Sequence, residues 1–167
     1  MTVGFGGAPA GVTGWFVDGA DGLAELPVVE SAAGAEPTPR HPNGVTALDH
    51  IVVATPDMTR TIAAFETAGI PLRRTRDIGT EARPAMQAFF KLENTIVEVV
   101  GSANESRPRP AHFYGLAFTV ADLDETAARL GSLLKPAKDA VQRGRRIATL
   151  DRAAGSTVPI AFMSPRP

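Results

Sequence analysis

The sequence predicts an α+β fold in which two modules share one design: a strand, a helix and three further strands. Three observations predict it. Residues 47–57 read as an apolar strand, a Thr-Pro-Asp stop and the entry to an amphipathic helix. Residues 115–122 begin a second copy of this order. Laid over each other without gaps, the copies place His50 on Gly115, an offset of 65 residues.

The last strands of the two copies align almost as well. Glu98, in a β-branched strand, falls on Ala161 at an offset of 63 residues. Because a near-constant offset between matching elements indicates a duplication, we predict one domain over residues 45–167. Its first module covers about 45–104, and its second covers about 111–165.

Each element of the first module has a local signal. Met58, Ile62 and Phe65 recur at helical spacing and Gly69 provides a C-terminal stop, which predicts a helix over residues 58–68. Runs rich in β-branched and aromatic residues, separated by turn residues, predict three strands. These strands cover residues 72–78, 84–92 and 95–100.

A Pro-rich linker at residues 106–110 precedes the second module. Its first strand is predicted at 113–120. Asp122 and Glu125 form an N-cap and capping-box pair that opens a helix ending near Gly131. Further strands are predicted around Val141, at 145–150 and at 157–163.

Residues 1–44 form a predicted N-terminal arm that differs from the rest by its many glycines and prolines. Two short strands, at 2–5 and 12–17, would flank a turn that contains Pro9. From residue 18 onward the arm has no clear periodicity, which indicates a surface connector. Two interpretations stay open: a partly ordered tail, and a hairpin that adds an edge to the main sheet.

The composition excludes several classes of protein. A net charge of −1 gives no basic face for nucleic acid, and the lack of cysteine excludes disulfides, thiolate metal sites and cysteine nucleophiles. No apolar run approaches the roughly 18 residues that span a bilayer, and the N-terminus does not resemble a secretory signal. We expect a soluble, cytoplasmic protein without nucleic-acid or membrane partners.

His50 and Glu98 are the candidate functional residues with the clearest positions. Strand alternation places each of them on one face of an apolar strand. A carboxylate in a buried strand is costly unless it is paired or hydrogen-bonded. If the fold places these two strands side by side, two interpretations follow: the two side chains are ligands of a divalent ion, or they form a hydrogen bond in a site without metal.

Three segments resemble the vicinal oxygen chelate superfamily, which includes glyoxalase I, type I extradiol dioxygenases and bleomycin-resistance proteins. They are residues 48–53 (LDHIVV), 95–100 (TIVEVV) and 115–124 (GLAFTVADLD). The resemblance covers about residues 45–165. It implies two βαβββ modules whose sheets pair into one curled mixed sheet around a cleft, with metal ligands on the first and last strand of each module.

Carried across to this chain, the resemblance implies that His50 and Glu98 are the ligands of the first module. Gly115 and Ala161 occupy the matching positions of the second module, and neither binds a metal through its side chain. Imidazole plus carboxylate suits zinc, iron, manganese or nickel, and the alternative is a site without metal. Glu98 is also the candidate catalytic residue, as a ligand or as a base.

Further side chains are predicted to line the ligand site. The small residues Gly115 and Ala161 leave room for an apolar part of a ligand, or let the sheets pack more closely; both interpretations stay open. Gln87 alternates with Phe89 on its strand and suits a hydrogen bond to a carbonyl or hydroxyl. The predicted substrate-binding residues are Gln87, Phe89, Phe113, Gly115, Ala161 and Met163.

Other polar features carry less weight. His112, at the entry of a strand, is interpreted as a surface residue, with a replacement metal ligand as the alternative. His41 is expected to be solvated in the arm. The basic runs at 73–76 and 143–146 are interpreted as solvated faces, with a clamp for an anionic substrate as the alternative.

The leading prediction is a small-molecule-binding protein of this superfamily, with the option of divalent-metal-dependent lyase, isomerase or dioxygenase chemistry at an incomplete metal site. The alternative is a metal-free binding or sequestering protein of the bleomycin-resistance type. A third interpretation is a degenerate module that serves in an assembly, such as a homodimer.

Overall fold

The computed structural model describes residues 3–8, 11–17, 22–28, 43–93, 95–102 and 109–167. The chain forms two units that interleave along the sequence. Among the described residues, the first unit contains those up to 28 together with Ile51–Tyr114, and the second contains 43–50 and Gly115–Pro167.

The N-terminal arm begins with a hairpin. Strand β1 (Val3–Ala8) pairs antiparallel with β2 (Gly11–Val17), and the register shifts between Gly6 and Gly7. The two strands predicted for the arm are therefore present, and the first extends further than expected. They form a two-stranded sheet of their own instead of an edge of the larger sheet. The predicted turn at Pro9 lies outside the described residues.

Side chains from the arm belong to the core of the first unit. Trp15 is completely buried, and its ring lies 6.3 Å from that of Phe65 and 5.4 Å from that of Phe113. Leu23 and Leu26 are buried as well, in the stretch that the sequence indicated as a surface connector. Large apolar side chains gain most from burial, and three of them fix the described part of the arm.

The strand and helix that open the main body follow the prediction closely. Strand β3 (Val45–Thr55) begins in the second unit and ends in the first, and it leads into helix α1 (Met58–Thr67). Asp57 caps the helix because its carboxylate accepts a hydrogen bond from the backbone N–H of Arg60 at 2.9 Å.

The buried face of α1 differs from the predicted one at a single position. Met58 and Phe65 are buried as expected, whereas Ile62 is only half-buried. Thr61 completes the buried face instead. Its hydroxyl lies 2.7 Å from the hydroxyl of Thr55, so burial of this polar group is compensated by a hydrogen bond.

Three antiparallel strands complete the first unit, and all three were predicted. They are β4 (Leu72–Asp77), β5 (Ala85–Leu92) and β6 (Thr95–Ser102), and the strand order is β4–β5–β6–β3. Phe65 of α1 stacks on Phe90 of β5 with ring centroids 4.3 Å apart. The buried side chains of β5 and β6 are Ala88, Phe90, Leu92, Val97 and Val99.

The chain passes from the first unit to the second within strand β7 (His112–Val120), between Tyr114 and Gly115. Helix α2 (Leu123–Leu130) follows β7. Asp122 is the predicted N-cap: its carboxylate accepts from the backbone N–H groups of Asp124 and Glu125 at 2.8 and 2.9 Å. The capping box is not completed as predicted. The Glu125 carboxylate instead accepts a hydrogen bond from Arg129 at 2.8 Å.

Three short strands close the second unit: β8 (Lys138–Asp139), β9 (Arg146–Thr149) and β10 (Ile160–Met163). The strand order is β3–β7–β10–β9–β8, and the sheet is mixed because β10 runs parallel to β7 and antiparallel to β9. The strand predicted around Val141 lies two residues earlier, and Val141 itself is exposed. In the described parts of the chain, no helix is long and apolar enough to cross a membrane.

Candidate functional site

The predicted alternation of side chains around Glu98 is present in the first unit. Val97 and Val99 are buried against the core, while Glu98 lies on the opposite, less buried face of β6. Phe89 of β5 is directly across from Glu98 in the antiparallel register. Glu98 and Phe89 therefore lie on the same face of the sheet.

Gln87 joins Glu98 on this face. Its amide Nε2 donates a hydrogen bond to Glu98 Oε1 at 2.5 Å, across the diagonal of the β5–β6 pair. The amide oxygen of Gln87 is buried and has no hydrogen-bond partner within the described part of the structure. An acceptor buried without a partner is costly, so this oxygen is a candidate contact for a ligand or a cation.

The first basic run contributes to the same face. The guanidinium of Arg74 lies over the ring of Phe89, 4.5 Å from its centroid, and Arg76 pairs with Gln87 in the β4–β5 register. Arg74, Phe89 and Glu98 thus follow one another across three adjacent strands. We call the face formed by Arg74, Gln87, Phe89 and Glu98 the open face of the first unit.

His50 lies at the end of the part of β3 that belongs to the second unit, and it is half-buried. Its Nδ1 is 3.0 Å from Oδ1 of Asp49, the preceding residue. The exposed fractions of the two side chains are 12% and 1%, so the contact with Asp49 is shielded from water. Asp49 therefore fixes the orientation of the imidazole.

Asp49 is the centre of a buried polar network that sequence reasoning missed. Its second oxygen, Oδ2, accepts from Arg145 Nη1 at 2.7 Å and from the Thr119 hydroxyl at 3.0 Å. Burial alone would raise the pKa of Asp49, but the hydrogen bonds from His50, Arg145 and Thr119 and the charge of Arg145 outweigh it and hold the pKa well below its usual value.

Arg145 is itself firmly held. Its Nε and Nη2 donate to the carbonyl oxygen of Ser164 at 3.0 and 2.8 Å, Nη2 also reaches the Thr119 hydroxyl at 3.1 Å, and Nη1 donates to Gln142. The sequence signal for this network was Asp49 itself, a charged residue within an apolar strand. The partner of Asp49, Arg145, could not be identified from the basic run 143–146, because the run has three arginines and only Arg145 is buried.

The small residues of the second module differ in their surroundings. A Cβ atom at Gly115 would lie 2.7 Å from the carbonyl oxygen of Pro159, so the backbones approach closely here. This contact favours the close-packing interpretation at Gly115. Ala161 is half-buried, and Met163 is 2% exposed. Phe113, half-buried in the first unit, has its ring against Trp15.

The remaining histidines lie elsewhere. His112 is exposed and lines a surface depression of the first unit together with Thr55, Ser102 and Arg109. His41 lies outside the described residues. In the part of the chain that the structure describes, no three His, Asp or Glu side chains converge in a way that would hold a metal ion.

A protein-family model decides the relationship of this chain. The model of the glyoxalase/bleomycin resistance protein/dioxygenase superfamily matches residues 49–149. The chain belongs to this superfamily. The resemblance inferred from the three sequence segments is therefore confirmed. No curated protein sequence matches the chain significantly.

Solved structures of epimerases share the fold of this superfamily member. Methylmalonyl-CoA epimerase from Mycobacterium tuberculosis is 22% identical, with 76% of this chain and 93% of that chain covered and a TM-score of 0.58. The Streptomyces coelicolor methylmalonyl-CoA epimerase in complex with 2-nitronate-propionyl-CoA is 19% identical, with coverages of 74% and 99% and a TM-score of 0.56. These similarities confirm the predicted α+β glyoxalase-like fold.

Proposed function

We propose that this superfamily member binds a small molecule with adjacent oxygen atoms and isomerises it by proton transfer, with the help of a divalent ion bound by His50 and Glu98. The buried, unpartnered oxygen of Gln87 beside the Glu98 carboxylate is the observation that carries the proposal. It adds a neutral oxygen donor where the sequence indicated a single carboxylate.

The donor set fits a divalent metal. Glu98 offers a carboxylate, Gln87 an amide oxygen and His50 an imidazole nitrogen, which together suit zinc, iron, manganese or nickel. Each of the two predicted ligands also has a neighbour that orients it: Asp49 contacts His50, and Gln87 donates to Glu98. Such outer partners raise metal affinity because they fix the ligand before the metal binds.

The residues have distinct roles in this proposal. A bound divalent ion would act as a Lewis acid that polarises the substrate oxygens. Glu98 serves as a ligand or as the base that takes a proton, and Gln87 holds its carboxylate in place. Arg74, fixed over Phe89, supplies positive charge for an anionic substrate group. Because neither Gly115 nor Ala161 has a side chain that could bind the metal, the substrate would supply the remaining ligands.

Among the lyase, isomerase and dioxygenase classes, we favour the isomerase. The support is the fold shared with structures named as methylmalonyl-CoA epimerases, one of them in complex with a CoA ester analogue. Epimerisation removes the proton next to a carbonyl and returns a proton to the opposite face of the same carbon. A carboxylate beside a Lewis acid performs the removal, and a proton donor on the opposite face would complete the reaction.

A metal-free binding protein is the second candidate. It is favoured by one observation, namely that no three acidic or histidine side chains converge in the described part of the chain. In that case the open face of the first unit binds its ligand through Phe89, Gln87 and Arg74, and the protein sequesters the ligand without changing it.

Metal analysis of the untagged protein separates the two candidates. We expect near-stoichiometric metal in the wild type after exposure to zinc, iron, manganese or nickel, and loss of that metal in Glu98→Ala. Glu66→Ala, an exposed carboxylate on α1, is the matched control and should keep its metal. A wild type that stays empty with all four metals would contradict the metal-dependent proposal and favour sequestration.

A further inference from the structure

The buried residues around His50 suggest a function that neither the family match nor the metal ligands account for. Asp49 and Arg145 form an ion pair whose side chains are 1% and 2% exposed. Removing two charges from water is costly, and a buried ion pair is weak evidence of stabilisation on its own. Stability alone therefore does not explain the Asp49–Arg145 pair. Because Asp49 also contacts His50, the pair can act on the imidazole.

The carboxylate of Asp49 can only accept hydrogen bonds in this arrangement. Oδ2 faces two donors, the guanidinium of Arg145 and the hydroxyl of Thr119, at 2.7 and 3.0 Å. The positive charge of Arg145 and the two hydrogen bonds stabilise the ionised form of the carboxyl group. Oδ1 of an ionised carboxylate is an acceptor as well, so the His50 Nδ1 at 3.0 Å must carry the proton.

Arg145 holds this arrangement in place. All three of its nitrogens donate hydrogen bonds, to Asp49, Gln142, Thr119 and the carbonyl of Ser164. A guanidinium held at every nitrogen presents its charge to Asp49 in one fixed orientation. The neighbouring Arg146, by contrast, is exposed and pairs with Asp124 at 2.6 Å.

We propose that the buried Arg145–Asp49 ion pair is a positioning device that fixes neutral His50 in the tautomer with its proton on Nδ1. Nε2 is then the basic nitrogen of the ring, the one that binds a metal or accepts a proton. The consequence for metal binding rests on the proposed function, whereas the tautomer is a property of the metal-free chain.

The tautomer is measured directly by long-range ¹H–¹⁵N correlation NMR on the metal-free, full-length protein. Spectra are recorded over a series of pH values, and the tautomer is determined where the ring signals no longer change with rising pH. The His50 signals are assigned by their loss in His50→Gln. We expect a protonated Nδ1 and an unprotonated Nε2 in the wild type. A wild-type ring protonated on Nε2 would overturn the inference, whether or not any variant folds.

Three variants test the part played by Arg145. Arg145→Gln removes the charge and should shift the His50 proton toward Nε2, while Arg145→Lys should retain the wild-type tautomer. Arg146→Gln is the matched control from the same basic run and should leave the ring unchanged. An unaltered Nδ1–H signal in folded Arg145→Gln would show that Arg145 does not set the tautomer.

Zinc affinity, measured by competition with a chelator, keeps the two proposals distinguishable. If both hold, Arg145→Gln weakens zinc binding about ten- to hundred-fold, as expected for an outer partner of a ligand, and Arg146→Gln does not. If the wild type shows the Nδ1–H tautomer and binds no zinc or other divalent metal, the proposed function fails and the positioning role stands.

Discussion

At the scale of single residues, Asp49 is, among the described carboxylates, the one whose burial costs the folded chain the most desolvation energy. Most of the other charged residues that the structure describes are exposed, yet Asp49 and Arg145 are both buried in the second unit. A carboxylate in that position is tolerated because three hydrogen bonds, one of them from the guanidinium of Arg145, replace the water it has lost. Removing either partner leaves the other charge buried without compensation.

We therefore expect Arg145→Ala to lower the free energy of unfolding by about 3–5 kcal/mol, the usual cost of breaking a buried ion pair. Arg146→Ala, next in the chain and exposed, should leave that free energy unchanged within error. Urea denaturation followed by circular dichroism measures both. Equal stability of the two variants would mean that the Asp49–Arg145 pair is not buried in solution.

The low pKa of Asp49 has a consequence for acid stability. Its pKa is lower in the folded chain than the unfolded value of about 3.9, so folding favours the ionised form. This contribution is complete above about pH 4 and is lost as the pH falls toward the folded-state pKa. In Asp49→Asn, the loss of stability relative to wild type should shrink as denaturation is measured from pH 5 downward through about pH 3. A pH-independent difference would contradict the assignment.

At the scale of elements, the N-terminal hairpin is tied to the first unit by Trp15. Because the ring is completely buried between Phe65 and Phe113, Trp15→Ala should cost about 3–5 kcal/mol of unfolding free energy. Tyr114→Ala removes an aromatic ring that is 50% exposed and should cost less than about 0.5 kcal/mol. Thermal denaturation of both variants tests this; similar melting temperatures would show that the arm does not pack on the unit.

Strand β7 carries a constraint of a different kind at Gly115. The resemblance predicts that this position matches a metal-ligand position of the superfamily, but a Cβ atom there would lie 2.7 Å from the Pro159 carbonyl. Gly115→Ala should therefore lower the unfolding free energy by about 1–3 kcal/mol, the usual cost of overpacking. An unchanged melting temperature would show that there is room, and would return Gly115 to the candidate ligand-binding surface.

At the scale of the whole molecule, the order of elements was predictable because local signals agreed with one another. The helix caps at Asp57 and Asp122 and the alternation around Glu98 all specify structure over a few residues. The burial of Trp15, Leu23 and the other arm residues was not predictable. The aromatic partners of Trp15 are Phe65 and Phe113, which lie 50 and 98 residues further along the chain (65 − 15 and 113 − 15), and glycine-rich neighbours hide any periodicity.

The site was predictable only in part, for the same reason. The sequence alone identifies polar or aromatic residues at defined positions in the predicted strands. These are His50, Gln87, Phe89 and Glu98. The contact between Asp49 and Arg145 joins residues 96 positions apart, and no local pattern specifies it. The orphaned oxygen of Gln87 likewise depends on the β5–β6 register, which a sequence alone does not provide. A homodimeric state stays a prediction.

Pulsed electron paramagnetic resonance of the Mn²⁺-loaded protein tests the central claim most directly, because it detects the nuclei bonded to the metal. We predict one histidine nitrogen coupled to Mn²⁺ in the wild type, lost in His50→Gln and retained in His112→Gln. Glu98→Gln should weaken Mn²⁺ binding in the same titration. A nitrogen coupling that persists in His50→Gln, or a wild-type protein that leaves Mn²⁺ fully hydrated, would contradict a metal site at His50 and Glu98.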